Sequence, residues 1–184
     1  MLFRSLIVEA LQDRFSSRHL DNKKVVITAG PTIEAIDPVR YLSNHSSGKM
    51  GYALARACAE AGADVTLISG PVHLTPPDRV KLLRVTSAIE MHDAAVTASE
   101  GADLFIGAAA VADFRVSAPA TEKIKKSGQP NLSLTLIENP DVIAAVSQLA
   151  ARPALVVGFA AETSSVLAHA RAKLEKKGLD LAMV

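Results

Sequence analysis

Val25-Val26-Ile27-Thr28-Ala29, followed after a connection by Gly48-Lys49-Met50-Gly51-Tyr52-Ala53-Leu54-Ala55-Arg56-Ala57-Cys58-Ala59-Glu60-Ala61-Gly62 and then by Asp64-Val65-Thr66-Leu67-Ile68-Ser69, decides the fold. Two short apolar, β-branched runs bracket an alanine-rich segment of helical composition, the pattern of a strand, a helix and a second, parallel strand. Continuous apolar runs belong to strands covered by helices on both faces. The rhythm continues with candidate strands at residues 80–85, 102–108, 132–137, 154–158 and 179–184, and candidate helices at 88–99, 140–150 and 164–177. Gly62 and Gly178 stand where left-handed caps belong, and Asn139-Pro140 reads as an N-cap with proline at the first helical position. The expected class is α/β, a doubly wound, mostly parallel Rossmann-like sheet with helices on both faces. Such sheets bind ligands at the carboxyl ends of their strands, here the loops after Ala29, Ala108 and Gly158.

With 184 residues, 49% of them apolar and 21% charged, the chain suits one domain with a sizeable core. Residues 1–22 read as an amphipathic helix and linker, with Phe3, Leu6, Ile7, Leu11 and Phe15 at helical spacing, and residues 23–184 as the domain. A net charge of +1 gives the whole chain no field for nucleic acid or an anionic membrane, so any anion site must be local. No apolar run reaches the roughly 18 residues of a membrane span. Cys58 is the single cysteine, which excludes an intramolecular disulfide and suits a cytoplasmic setting. Its position on a helix reads as a small buried apolar residue.

Three segments break the rhythm. The connection from Gly30 to Ser47 is far longer than the two to six residues usual for a βα loop, which points to a binding role. Pro71 to Pro77 reads as a plain surface loop. Ala118 to Pro130 is polar, carries Lys123, Lys125 and Lys126, and reads as mobile. The first of these ends in Ser46, Ser47 and Gly48 at a helix start, where free N–H groups and the helix dipole favour an anion; ordinary helix capping is the competing reading for the serines. It is not a P-loop, since Ser43 replaces the first glycine and Met50 the final hydroxyl residue. Nor does a dinucleotide fingerprint follow the first strand, which disfavours a hydride-transfer enzyme.

Asp37-Pro38-Val39-Arg40-Tyr41-Leu42-Ser43-Asn44-His45-Ser46-Ser47-Gly48-Lys49-Met50-Gly51 resembles the signature of phosphopantothenoylcysteine synthetase, in the form found in the bacterial bifunctional synthetase/decarboxylase. Four further family-like motifs follow in the family's order: Ala108-Ala109-Ala110-Val111-Ala112-Asp113-Phe114, Glu122-Lys123-Ile124-Lys125-Lys126, Asn139-Pro140-Asp141-Val142 and Val157-Gly158-Phe159-Ala160-Ala161-Glu162-Thr163. The resemblance covers Lys23 to Val184.

It implies a two-step ligase. The carboxylate of 4′-phosphopantothenate attacks the α-phosphate of CTP, giving an acyl-cytidylate and pyrophosphate, and the amine of L-cysteine then displaces CMP. A carboxylate is a poor electrophile, so its oxygen must first become a leaving group; positioning and charge stabilisation then supply most of the rate. By resemblance Asn44 contacts the activated acyl group, an Asx-turn being the alternative. Arg40 offers a planar fork to phosphate or carboxylate, with a structural salt bridge as the competing reading. Lys123 neutralises the leaving pyrophosphate. Gly107, Ala108 and Ala109 line base and ribose through their backbone, Asp113 accepts from ribose or base, Pro140, Asp141, Val142 and Ile143 form a second nucleotide-contacting stretch, and Phe159 packs on the nucleotide. Lys173 and Lys177, four apart on one helix face, match nucleotide-contacting lysines, although the helix dipole also explains cations there. His45 is given no catalytic role. Mg²⁺ (or Mn²⁺) is expected to ride on the triphosphate with few protein ligands.

Family members usually continue past the strand matching 179–184, through a stretch that completes the sheet and contributes to a homodimer. A phosphopantothenoylcysteine decarboxylase is the further implied partner, and residues 1–22 are too few to hold one. Two function classes stay open, a working CTP-dependent ligase and a nucleotide-binding remnant of that fold. An NAD(P)-dependent oxidoreductase is the third alternative.

Overall fold

The computed structural model describes residues 18–126, 128, 131–159, 174 and 176–183. The elements run β1 (Lys24–Ala29), β2 (Ile33–Ala35), β3 (Tyr41–Ser43), α1 (Lys49–Glu60), β4 (Asp64–Ser69), β5 (Val80–Arg84), α2 (Ala88–Ser99), β6 (Leu104–Gly107), β7 (Phe114–Val116), β8 (Leu136–Glu138), α3 (Val142–Ser147), β9 (Leu155–Phe159) and β10 (Leu181–Met183). Six strands form one sheet in the order β10-β9-β6-β1-β4-β5, and every neighbouring pair is parallel. The chain leaves β1 toward β4 and β5, then returns to build β6, β9 and β10 on the other side. The order therefore reverses at β1, and the crevice between the carboxyl ends of β1 and β6 is the topological switch point.

Alternate side chains of β1 feed two cores. Val25, Ile27 and Ala29 join Tyr52, Ala55, Cys58 and Ala59 of α1 on one face. Val26 joins Met91 and Ala95 of α2 and Val142 and Val146 of α3 on the other. Residues on β1 alternate faces while those buried on α1 recur at helical spacing, so each element meets its partner with its apolar side. Cys58 is buried as expected, and burial pushes its thiol up. Among the described residues no helix is long and apolar enough to cross a membrane. The expected helices at 2–15 and 164–177 fall mostly outside the described residues.

The structure corrects three expectations. The run at 132–137 does not join the parallel sheet. Its last residues form β8, paired antiparallel with β7 in a separate two-stranded ribbon, Phe114 opposite Glu138 and Val116 opposite Leu136. All three β8 residues are exposed, so this strand lacks the covering layer that a parallel strand needs. The helix expected at 140–150 is shorter and begins two residues later, at Val142. Asp141, not Asn139, is its N-cap and accepts from the Ala144 N–H at 3.1 Å, leaving Pro140 before the cap. The 71–77 loop is more than surface, because Pro77 is buried and Val72 packs beside the apolar core of the α1 face.

Candidate active site

β1 and β6 stay joined beyond their ends. Ala108 N–H donates to the Thr28 carbonyl at 3.2 Å, Ala110 N–H to the Gly30 carbonyl at 2.8 Å, and Ala112 N–H to Thr32 Oγ1 at 2.9 Å. The buried Thr32 thus holds the strand β6 continues into, a role its place in the sequence did not announce. From the other side Asn139 donates through its side-chain amide to the Ala112 carbonyl at 2.8 Å and through its backbone to the Asp113 carbonyl at 2.8 Å. Its Oδ1 accepts from Arg115 at 3.0 Å. Sequence reading took Asn139 for a helix cap; its work is to pin the Ala112-Asp113 backbone.

These contacts shape a cleft of about 560 Å³ at the switch point. Of the residues singled out in sequence, Asn44, Gly107, Ala109, Asp113, Pro140, Asp141, Val142, Ile143, Phe159 and Lys177 line it. Phe114, about half exposed, stands on the lining as an aromatic surface beyond the residues expected there. Gly107 lacks a side chain for a reason besides ligand approach, since a Cβ there would lie 2.6 Å from Ile143 Cδ1.

Asn44 leaves β3 and reaches across to the β6–β7 connection. Its Nδ2 faces two carbonyls, Val111 at 3.0 Å and Ala110 at 3.4 Å. Carbonyls only accept, so the amide nitrogen must point at them and the oxygen is the end left over. Asp141 and Lys177 form an ion pair at 2.8 Å. Burial pushes the Asp141 carboxyl up, but hydrogen bonds from Lys177 and from the Ala144 N–H outweigh it and hold it below its usual range. Lys177 thus meets the cleft with its charge already matched.

Other expected site residues lie elsewhere. Ala108 is not on the cleft lining, and its N–H is taken by Thr28. Ser46, Ser47 and Gly48 stand at the start of α1 outside the lining; Gly48 is the N-cap, in the left-handed region at φ 73, and no side chain caps the helix. Ser46 Oγ accepts from the Gly48 N–H at 3.3 Å. Lys123 is exposed and off the lining, and Lys173 lies outside the described residues. Arg40 is the clearest correction. Its Nε donates to Asp37 Oδ2 at 3.0 Å and its Nη2 to the same oxygen and to the Ile124 carbonyl, so the salt bridge, not an open fork, describes it.

The partner in that pair, Asp37, opens the first family-like motif. It is buried, and its carboxylate also accepts from the backbone N–H groups of Val39, Arg40 and Ile124. The Arg40 guanidinium, helped by these N–H groups and opposed by burial, holds the Asp37 carboxyl well below the usual carboxylate range. The stability it contributes is therefore complete above its unfolded pKa of roughly 4 and is lost as pH falls through its lower folded value. Melting temperatures measured across acid pH should show Asp37→Asn less stable than the unmutated protein near neutrality, with the gap closing as pH drops below about 4. A gap independent of pH removes the charge argument.

Among the described residues no group of three or more His, Cys, Asp or Glu side chains converges to hold a metal ion. The cleft's carboxylates are Asp113, Glu138 and Asp141, the last already paired with Lys177.

An open doubly wound α/β domain with a polar cleft at its switch point, built from five separated stretches of chain, is the class that this fold and cleft define. The chain belongs to the family described as DNA/pantothenate metabolism flavoprotein, C-terminal domain, whose model matches residues 20–184. It is 50% identical over 182 residues to the coenzyme A biosynthesis bifunctional protein CoaBC of Vibrio vulnificus strain YJ016, covering 98% of this chain and 45% of that protein. It is 54% identical over 176 residues to the CoaBC of Haemophilus influenzae strain KW20, covering 95% of this chain and 44% of that protein. The chain thus spans less than half the length of these curated relatives. Its fold is similar to the crystal structure of the C-terminal domain of a CoaBC protein, with a TM-score of 0.78 and 38% identity over 91% of this chain and 79% of that one.

Proposed function

We propose that the domain is a phosphopantothenate–cysteine ligase of coenzyme A biosynthesis, which activates 4′-phosphopantothenate with CTP and condenses the acyl-cytidylate with L-cysteine. One observation carries the reading: four of the five family-like motifs, far apart in sequence, contribute to one cleft, through Asn44, Ala109 to Phe114, Asn139 to Val142, and Phe159. In the first step a carboxylate oxygen bonds to the α-phosphorus and the bond to pyrophosphate breaks. In the second the cysteine nitrogen bonds to the acyl carbon, CMP leaves with the shared oxygen, and the amine gives up a proton. The chain's own part is to bind and orient the reactants: the pinned backbone of Ala109 to Asp113 lies along one wall, and Phe159 offers an apolar surface at the end of β9. Mg²⁺ (or Mn²⁺) would be carried by the triphosphate and would neutralise phosphate charge. Names of the relatives, which join two activities in one protein, support a decarboxylase as partner, fused or separate. A homodimer belongs to the same reading. Val39, Tyr41, Phe114, Leu136 and Ile137 give it exposed apolar surface to cover, and sedimentation of the pure protein tests it.

Pure protein mixed with phosphopantothenate, cysteine and CTP should release pyrophosphate. Release of none, with CTP still bound, favours the nucleotide-binding remnant; tight binding of NADPH instead would favour the oxidoreductase. Calorimetry should find CTP bound more tightly than ATP, and equal or tighter binding of ATP ends the specificity claim while leaving the ligase class. Lys123→Gln should slow single-turnover pyrophosphate release without moving the melting temperature, since an exposed lysine contributes little to stability. An unchanged rate makes Lys123 only a solvated charge.

A further inference from the structure

The polar segment after β7 is fastened to the turn between β2 and β3. Ala120 N–H donates to the Ile36 carbonyl at 2.9 Å. Four residues later both sides of Ile124 are taken: its N–H donates to Asp37 Oδ2 at 3.0 Å and its carbonyl accepts from Arg40 Nη2 at 2.8 Å. The turn is closed independently, since the N–H groups of Ile36 and Asp37 donate to the Arg40 carbonyl at 2.8 and 3.2 Å. An exposed Asp suffices for such a turn. Here the Asp37 side chain is wholly buried, while Arg40 remains 42% exposed, and burying a charge is costly unless it is paired and hydrogen-bonded. The turn itself does not need that burial. What it adds is the hold on Ile124, the neighbour of Lys123. The same hairpin, at the exit of β3, carries Asn44 into the cleft.

We infer that Asp37 is a positioning residue which, with Arg40 and through the backbone of Ile124, sets the place of Lys123 relative to the hairpin that bears Asn44. The inference rests on the proposed role of Lys123 for its effect on rate, but not for the fastening itself. Asp37→Ala removes the acceptor, and Asp37→Asn keeps an acceptor while removing the charge that holds Arg40.

Two measurements on the full chain test it. Brief trypsin treatment of the native protein should cleave after Lys123, Lys125 or Lys126 about tenfold faster in Asp37→Ala than in the unmutated chain, because cleavage follows local opening. Should Asp37→Ala fail to fold, Asp37→Leu takes its place, since it fills the buried site but offers no acceptor. Unchanged cleavage there overturns the fastening. In single-turnover pyrophosphate release, the double variant of Asp37→Asn with Lys123→Gln should be no slower than Lys123→Gln alone, the mark of two residues acting through one contact. Losses that multiply would mean that Asp37 acts only through general stability, and the positioning role would be wrong. If Lys123→Gln alone changes nothing, the reading of Lys123 falls, while the trypsin result still decides whether Asp37 fastens the segment.

Discussion

Asn44→Asp is expected to lower amide formation by about a hundredfold or more, the scale seen when one donor at a developing oxyanion is lost, while CTP affinity stays nearly intact. The substitution keeps the size of the side chain and its capacity for turns. It replaces the Nδ2 donor, 3.0 Å from the Val111 carbonyl and 3.4 Å from the Ala110 carbonyl, with an anionic oxygen facing two others. Like partial charges at that distance repel, so the strut between the hairpin and the β6–β7 connection opens. Because Nδ2 already donates to two backbone carbonyls, an acyl adduct would meet the Asn44 oxygen or would have to displace one of these carbonyls. Asn44→Ala separates the causes, for it removes the strut without adding charge. Equal losses in the two variants assign the effect to lost positioning, and a loss confined to Asn44→Asp assigns it to charge. Parallel failure of CTP binding would instead place Asn44 in the nucleotide pocket. The unmutated chain must first show turnover in the same assay.

Much of the fold was legible because parallel strands covered on both faces must be apolar throughout. All six strands of the main sheet appear as runs in the sequence, and α2 matches its expected bounds at Ala88–Ser99. Its start was locally encoded, with Ser87 Oγ accepting from the Glu90 N–H and Glu90 accepting from the Thr86 N–H. Three-residue strands such as Ile33–Ala35 and Tyr41–Ser43 are too short for a period to register, so their hairpin was seen only as a long connection. Leu132 to Ile137 gave a strand-like pattern but no sign of which sheet it would join, because pairing is a property of two segments. The cleft divides in the same way. Residues carried by contiguous motifs arrived together, whereas the partners that settle their roles come from far along the chain: Ile124 for Asp37, Lys177 for Asp141, Val111 for Asn44. The Arg40 charge that pairs with Asp37 lies in the same motif, but the more distant partners appear only once the chain is folded.

Gly70→Ala should be among the most destabilising single substitutions in the chain, costing about 3 kcal/mol or more, at the upper end of what overpacking a rigid site incurs. Gly70 follows β4, and its N–H donates to the Ala29 carbonyl at 2.9 Å. A Cβ built there would lie 1.7 Å from the Pro31 carbonyl oxygen and 2.8 Å from its carbon. Relief by side-chain rotation is impossible, since the obstacle is backbone. Moving it is opposed by the proline ring, which fixes φ, and by the bridge from Pro31 to Ala110 that joins the continuations of β1 and β6. Gly101→Ala supplies the control. That glycine has φ +64 but open space around it, so alanine there meets only the backbone penalty of the left-handed region, about 1–2 kcal/mol. Urea denaturation of the two variants compares a clash with a torsional cost in one protein. The clash should dominate, and whatever Gly70→Ala remains folded should bind nucleotide poorly, because a displaced Pro31 pulls on Ala110 and the cleft wall beside it. A Gly70→Ala variant no less stable than Gly101→Ala would mean that the chain after β1 can yield, and that the cleft wall is not held from this side.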